Sequence, residues 1–442
     1  MNVVLITDIF ARSGGGGSSS GSGGGGGVVI LLGYLPMHFV GAKLKKHMPL
    51  AVASLITWPA ALVYGVALTF ALRTYGFFIA IAALIGAGAG LYDWFNKIAK
   101  LGKKAKKDLA VAAASDSSWD EEALKTHAQN IFIQYQQDWS ANQIEPAQRY
   151  MTPWYFYHAT LMVAAMKQAG RQNVVSNPQI QSIQLVRIDD VANKEGDSFT
   201  VAITAKADDQ LYESSTQTLL FRDQKSFTEY WQFVRTNGVW LLSGIQQATA
   251  NAAAVNDSLR QFAAAQRFCY SADWGWLLLP KRGQLFHKAN FGRSDINNHV
   301  IGVYNNVLVQ IYNYVPVKTA KEATANYLIA QASVPKSYGT ILVRKKRKFG
   351  LFSNPKGLTK LSTEWGEFNN KYEIWASDLE RVTSFELLHP AFMVKLQELP
   401  FEVNIEVVDT TVYLYTHKAE LTTENYTVML TILQEAFKQM RM

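Results

Sequence analysis

The chain has 442 residues, 48% of them hydrophobic, with 43 Lys and Arg against 35 Asp and Glu and one cysteine, Cys269. A single cysteine excludes an internal disulfide and any multi-cysteine metal site. The formal net charge of +8 does not point to a nucleic-acid partner: residues 1–110 hold 11 Lys and Arg against 3 Asp, a difference of +8, so the remainder balances, and no nucleic-acid motif accompanies the surplus.

Residues 1–10 are apolar but lack the basic start of a cleaved signal peptide. Residues 13–27, SGGGGSSSGSGGGGG, read as a flexible linker, so 1–27 is taken as a Gly/Ser-rich N-terminus. It lacks the Lys-Ser/Thr ending of a phosphate loop. Residues 28–42, VVILLGYLPMHFVGA, are too short for a comfortable span and contain Pro36; the segment reads as interfacial, re-entrant or a short extra span.

Residues 49–95 hold two apolar runs of about 20 residues each, broken at Arg73, enough for a transmembrane helical hairpin. Lys43, Lys45 and Lys46 precede it, and Lys97, Lys100, Lys103, Lys104, Lys106 and Lys107 follow it. Basic flanks mark cytoplasmic ends. The expectation is a multi-pass protein of a bacterial inner membrane, with everything after Lys97 in the cytoplasm. The rival reading, a buried helical pair, is disfavoured by the length, the lack of charge and the lysine flanks. Gly86 and Gly90 form a small-xxx-small pair, with the first span as its simple partner. The segment 96–117 reads as a Lys-rich juxtamembrane linker whose six lysines face anionic lipid, each contributing about 1 kcal/mol.

Residues 118–247 read as a first α+β domain. Ser118-Trp119-Asp120-Glu121 has the form of a capping box. Leu124, Ala128, Ile131, Phe132 and Tyr135 follow at helical spacing. Thr152-Pro153 starts a second helix that ends at Gly170. Strands are expected over 180–191, 198–207, 215–221, 228–235 and 239–245, with Asn237-Gly238 as a hairpin turn. An Ala-rich helical connector, 248–270, leads to a second α+β domain over 271–442. Its features are two strands around Asn305-Asn306, a helix after Pro390, and a closing helix with Tyr426, Met429, Leu430, Leu433, Phe437 and Met440 on one face.

Two stretches resemble known families. WDEEALKTHAQNIFIQYQQDWSANQIEPAQRYMTPWYF, closed after the strands by YWQFVRTNGVWLLSGIQQ, resembles the Tim44-like domain of the mitochondrial import-motor tether and its bacterial relatives. Trp231, Phe233, Arg235, Trp240, Leu241, Leu242 and Ile245 carry most of the likeness. It implies an NTF2-like cone with an apolar pocket and a role at a membrane surface in lipid or protein contact. Unlike the mitochondrial tether, the chain has no Arg-rich presequence, which favours a bacterial setting. FNNKYEIWASDLERVTSFELLHPAFMVKLQEL, then VNIEVVDTTVYLYT, resembles DUF3137, a bacterial membrane-associated family of unknown function; Tyr372, Asp378, Leu387-Leu388, Pro390 and Phe392-Met393 carry that likeness.

No catalytic, cofactor or metal constellation stands out. His287, Asp295 and His299 match no ligand spacing, so surface or turn roles are the better reading. Asp189 and Asp190 are neighbours in a strand and point to opposite faces. His158 sits in an aromatic helix as a core or boundary residue. Arg344-Lys345-Lys346-Arg347-Lys348 reads as a solvated strand end or a lipid-facing patch. Trp154, Tyr157, Trp231, Phe233 and Trp240 are the candidates for lining an apolar pocket, with core packing as the competing role. The function expected is a membrane-tethered, non-catalytic binding or scaffold module with a lipid-bilayer partner and a protein partner. The alternative is an enzyme acting on a small hydrophobic substrate in the cone.

Overall fold

A computed structural model describes residues 26–47, 50–71, 76–92, 97–192, 194–247, 256–275, 277–280, 282–287, 289–291, 295–316, 326–334, 337–346, 354–377, 388–417 and 420–439. The Gly/Ser-rich linker, Arg73, Arg347, Lys348, Asp378, Leu387 and Met440 lie outside them, as do the side chains of Lys97, Phe437 and Gly90's surroundings. The chain divides into two compact units, residues 21–119 with 184–188, and residues 120–183 with 189–442.

The first unit is helical: α1 (Gly26–His47), α2 (Leu50–Ala71), α3 (Gly76–Tyr92) and α4 (Lys97–Ser115). The sequence expectation of a transmembrane hairpin, and with it of a multi-pass inner-membrane protein, is overturned. Among the described residues no helix is long and apolar enough to cross a membrane. Within the second apolar run the described helix has 17 residues, about 26 Å at 1.5 Å per residue, against a ~30 Å hydrocarbon core. The first carries Pro59 inside the helix.

The two runs instead join α1, a continuous helix through Pro36, in a cluster built on small residues. Ala53, Ala61, Ala82, Ala83 and Ala87 are buried. A Cβ at Gly86 would collide with the carbonyl of Tyr34, so Gly86 meets α1 and not its expected partner α2; Gly65 meets Ala80 in the same way. Small residues inside leave large ones outside: Phe39, Leu55, Leu62, Val63 and Val66 are exposed, the arrangement of a contact surface.

In the second unit, α5 (Glu121–Ser140) starts at Asp120, whose carboxylate accepts from the Ala123 amide at 2.7 Å. The cap is therefore Asp120, not Ser118. Helix α6 (Pro153–Gln168) starts at Thr152 as expected, with its hydroxyl as cap. The first sheet has β1 (Arg171–Asp189), β2 (Ser198–Glu213), β3 (Leu219–Asp223), β4 (Ser226–Thr236) and β5 (Val239–Gln247), ordered β1-β2-β4-β5 with β3 on β2. Asn237 and Gly238 both have positive φ, 51° and 76°, as the tight turn between β4 and β5 requires. The Thr152 amide donates to the Leu242 carbonyl, and the Leu242 amide to that of Tyr150, tying the start of α6 to β5.

After α7 (Asp257–Ala265) comes an antiparallel sheet of nine strands: β6 (Cys269–Gly275), β7 (Asp295–Tyr304), β8 (Val307–Val315), β9 (Tyr327–Ser333), β10 (Thr340–Lys345), β11 (Thr359–Leu361), β12 (Tyr372–Ala376), β13 (Asn404–Val408) and β14 (Thr411–His417). Their order is β11-β12-β10-β13-β14-β9-β8-β7-β6. Helices α8 (Gly366–Lys371), α9 (Pro390–Glu398) and α10 (Thr423–Gln439) complete it. Tyr426, Met429, Leu430 and Leu433 of α10 share a core with Leu259 and Ala263 of α7, Phe392 of α9 and the sheet. The α7 segment, read from sequence as a connector, is thus built into this core.

Candidate functional site

The aromatic candidates separate into two groups. Trp231 and Phe233, two apart on β4, are fully buried. Trp231 meets Phe132 at 5.2 Å and Tyr135 at 5.5 Å, both edge-on, and its Nε1 donates to Glu229 at 3.0 Å. Phe233 stacks on Phe199 at 4.8 Å, and Phe199 meets the edge of Trp240 at 5.0 Å. Edge and offset contacts of this kind are how a packed core uses rings. These side chains pack together between α5 and the first sheet. Trp154 and Tyr157 lie together on α6, 5.7 Å apart, and Trp154 is 52% exposed.

Helix α4 presents a different surface. Gly102, Ala105, Leu109 and Ala112 are buried at helical spacing, and a Cβ at Gly102 would collide with the side chain of Gln184. That seam uses up the apolar face of the helix. Lys100, Lys103, Lys104, Lys106 and Lys107 are all exposed, as is Val111. Residues 96–117, expected as a linker, thus hold a packed helix with a cationic outer face.

The remaining polar candidates are structural. Arg344 pairs with Glu373 at 3.2 Å and Lys345 pairs with Glu402, so the start of the basic run is charge-compensated on the sheet. His287 is exposed with Nδ1 on the Gln284 carbonyl, whereas His299 is buried on Gln310. Among the described residues no three His, Cys, Asp or Glu converge as a metal site. His158 lies 3.2 Å from the Ser271 hydroxyl. Asp189 accepts from Ser198 at 3.0 Å. Burial pushes the Cys269 thiol up to about 12, which makes it inert at neutral pH.

One cleft escaped the sequence reading. A small cleft of about 30 Å³ opens where the end of α6 and the start of β1 meet the second sheet, lined by Arg171, Arg282, Gln310, Gln331, Ser333 and Thr411. Arg171 is 4% exposed. Its guanidinium donates to the Leu279 carbonyl and lies 5.2 Å from the Phe291 ring, while its Nε has no hydrogen-bond partner among the described residues. Burial lowers its pKa to about 10, which leaves it cationic at neutral pH. The available signal was Arg171 directly after Gly170; the lining residues of the second sheet lie more than a hundred positions further on.

Residues 105–247 match the family model of the Tim44-like domain. This part of the chain is a Tim44-like domain. It covers just under a third of the 442 residues. The Tim44-like match begins inside α4, includes Lys106 and Lys107, and ends with β5. The DUF3137 likeness of the second sheet rests on the residues quoted above alone. No curated protein matches the chain. Among solved structures, the mycobacterial trehalose monomycolate transport factor A, TtfA, is similar over 42% of this chain and 93% of its own, at 10% identity and a TM-score of 0.30. The intermembrane space region of the chloroplast protein ARC6 is similar over 28% of this chain and 97% of its own, at 13% identity and a TM-score of 0.23. Likenesses this distant carry no argument about function.

Proposed function

We propose that the chain is a non-catalytic binding module that docks its Tim44-like domain on an anionic lipid surface through α4. The observation that carries this reading is the division of labour on α4. Its apolar seam is buried inside the protein, so its exposed lysines are held in place by a folded helix. A rigid cationic face loses less side-chain and backbone freedom on binding than a flexible tail. The close packing of Trp231 and Phe233 on Phe132, Tyr135 and Phe199 supports binding at surfaces over catalysis in a cavity at these rings.

The test is sedimentation of the full chain with vesicles. Binding should be stronger to anionic vesicles than to neutral ones, and the difference should shrink with added salt. Replacing Lys103, Lys104, Lys106 and Lys107 together by Gln should weaken anionic binding by several kcal/mol at most, on the order of 1 per charge. The same affinity for neutral vesicles, or no loss in the fourfold variant, would overturn the reading.

A further inference from the structure

The cleft beside Arg171 has used its acceptors and kept its donors. Gln310 on β8 and Gln331 on β9 are register partners, and Gln331 is in turn paired with Tyr413 on β14, so the three side chains form a row on one face of the sheet. Tyr312 donates its hydroxyl to Gln331 Oε1 at 2.7 Å. His299, held neutral by burial, places Nε2 3.0 Å from Gln310 Oε1, so that nitrogen carries the proton and donates. Each glutamine therefore spends its carbonyl on the sheet and retains its NH2 group. Arg171 lines the other side of the cleft, and its buried Nε has no hydrogen-bond partner among the described residues. Arg282 is exposed at the rim, its Nη2 3.8 Å from where a Cβ on Gly170 would lie. Glu213 is the acid beside them, its Oε1 2.9 Å from the same point. Glu406, the register partner of Tyr413, continues the row, and both its carboxylate oxygens are taken up by the Gln284 and Leu285 amides. A buried donor without a partner is costly unless something accepts from it.

We infer that this cleft is a binding site for a phosphate group, with Arg171 behind it, Arg282 at its mouth, and the amides of Gln310 and Gln331 donating from the sheet. The donors come from three places in the chain: β1, the segment before β7 and two neighbouring strands of the sheet. A tetrahedral phosphate accepts on every side, whereas a planar carboxylate is matched by a single guanidinium fork. Ser333 and Thr411, also register partners, add hydroxyls at the edge. The site is separate from the lysine face of α4 and stands or falls independently of it.

The experiment is a titration of the full chain with inorganic phosphate, read as ligand-dependent stabilisation at constant ionic strength with acetate as the control anion. Saturable stabilisation by phosphate and none by acetate is expected. Arg282→Gln, at an exposed position, should weaken binding about tenfold or more, the size of one charge-assisted hydrogen bond. Gln331→Glu keeps an acceptor for Tyr312 and puts a negative charge in the cleft, so it should abolish binding while the unliganded protein stays folded by circular dichroism. A second arm uses vesicles containing phosphatidate, a lipid phosphomonoester, with the fourfold lysine variant. Competition with inorganic phosphate that disappears in Gln331→Glu identifies a lipid headgroup as the source; no competition identifies a soluble phosphate. Either result upholds the site. Absence of saturable phosphate binding, equal stabilisation by acetate, or unchanged affinity in both Arg282→Gln and Gln331→Glu would overturn it.

Discussion

Trp231 shows how one side chain separates a ligand cavity from a core. It is fully buried against Phe132 and Tyr135, with its indole N–H on Glu229. If these rings are a packed core, Trp231→Ala opens a void that the neighbouring rings cannot close, and unfolding free energy should fall by about 3–5 kcal/mol. Urea titration followed by tyrosine and tryptophan fluorescence measures this; a loss under about 1 kcal/mol would mean the ring already bordered open space. Trp154→Ala, on the exposed face of α6, should change stability little. Spacing in the sequence could not make this distinction, because a ring lining a pocket and a ring filling it occur at the same strand and helix positions. Arg171 was further out of reach. Its neighbours Leu279, Gln310 and Gln331 are brought to it by tertiary packing and share no local pattern with it.

The start of α5 tests the reading of elements. Asp120 accepts from the Ala123 amide, while the Ser118 amide is engaged by Asp116 in a local turn. Asp120→Ala should cost about 1 kcal/mol and Ser118→Ala much less, a difference thermal unfolding can resolve. The capping-box spacing was present at Ser118, but two acidic residues in the first turn, Glu121 and Glu122, favour the later start by their interaction with the helix dipole. Turns were the most legible elements. Asn237-Gly238 and Asn305-Asn306 all adopt positive φ, a conformation that Asn and Gly accept at low cost. Strand β1 was less so. It begins at Arg171, nine residues before the expected start of 180, in a polar stretch where pairing and not composition decides. The apolar runs of α2 and α3 misled for a physical reason: a helix that is apolar all round has the same sequence whether lipid or other helices surround it. What overturns the span reading is that among the described residues no helix is long and apolar enough to cross a membrane.

At the scale of the molecule, the two domains expected over 118–247 and 271–442 share one compact unit from residue 120 onward, apart from 184–188. Arg171 donates to Leu279 and His158 meets Ser271, so the Tim44-like domain and the second sheet are hydrogen-bonded to one another. This junction holds two histidines whose pKa is depressed from 6.5. Burial, less a small gain from Gln310, brings His299 to about 4, and burial with the nearby His299 brings His158 to about 3. His299 is fully enclosed; His158 is partly exposed and contributes less. In the unfolded chain both take up a proton near pH 6.5, whereas the folded state resists until pH is near 4 or below. The unfolded state therefore binds more protons across that window, and stability falls as pH drops from 6.5 towards 4. For His299 the slope reaches about 1.4 kcal/mol per pH unit. Glu406 acts in the opposite direction, because burial raises its pKa and the folded state then gains a proton more readily. Comparing variants removes that background. His299→Gln should reduce the fall in stability between pH 6.5 and 4.5 relative to the parent chain, measured by urea midpoints at each pH, and His158→Gln should reduce it by less. If both variants keep the parent's slope, the junction histidines are not what loosens the unit in acid.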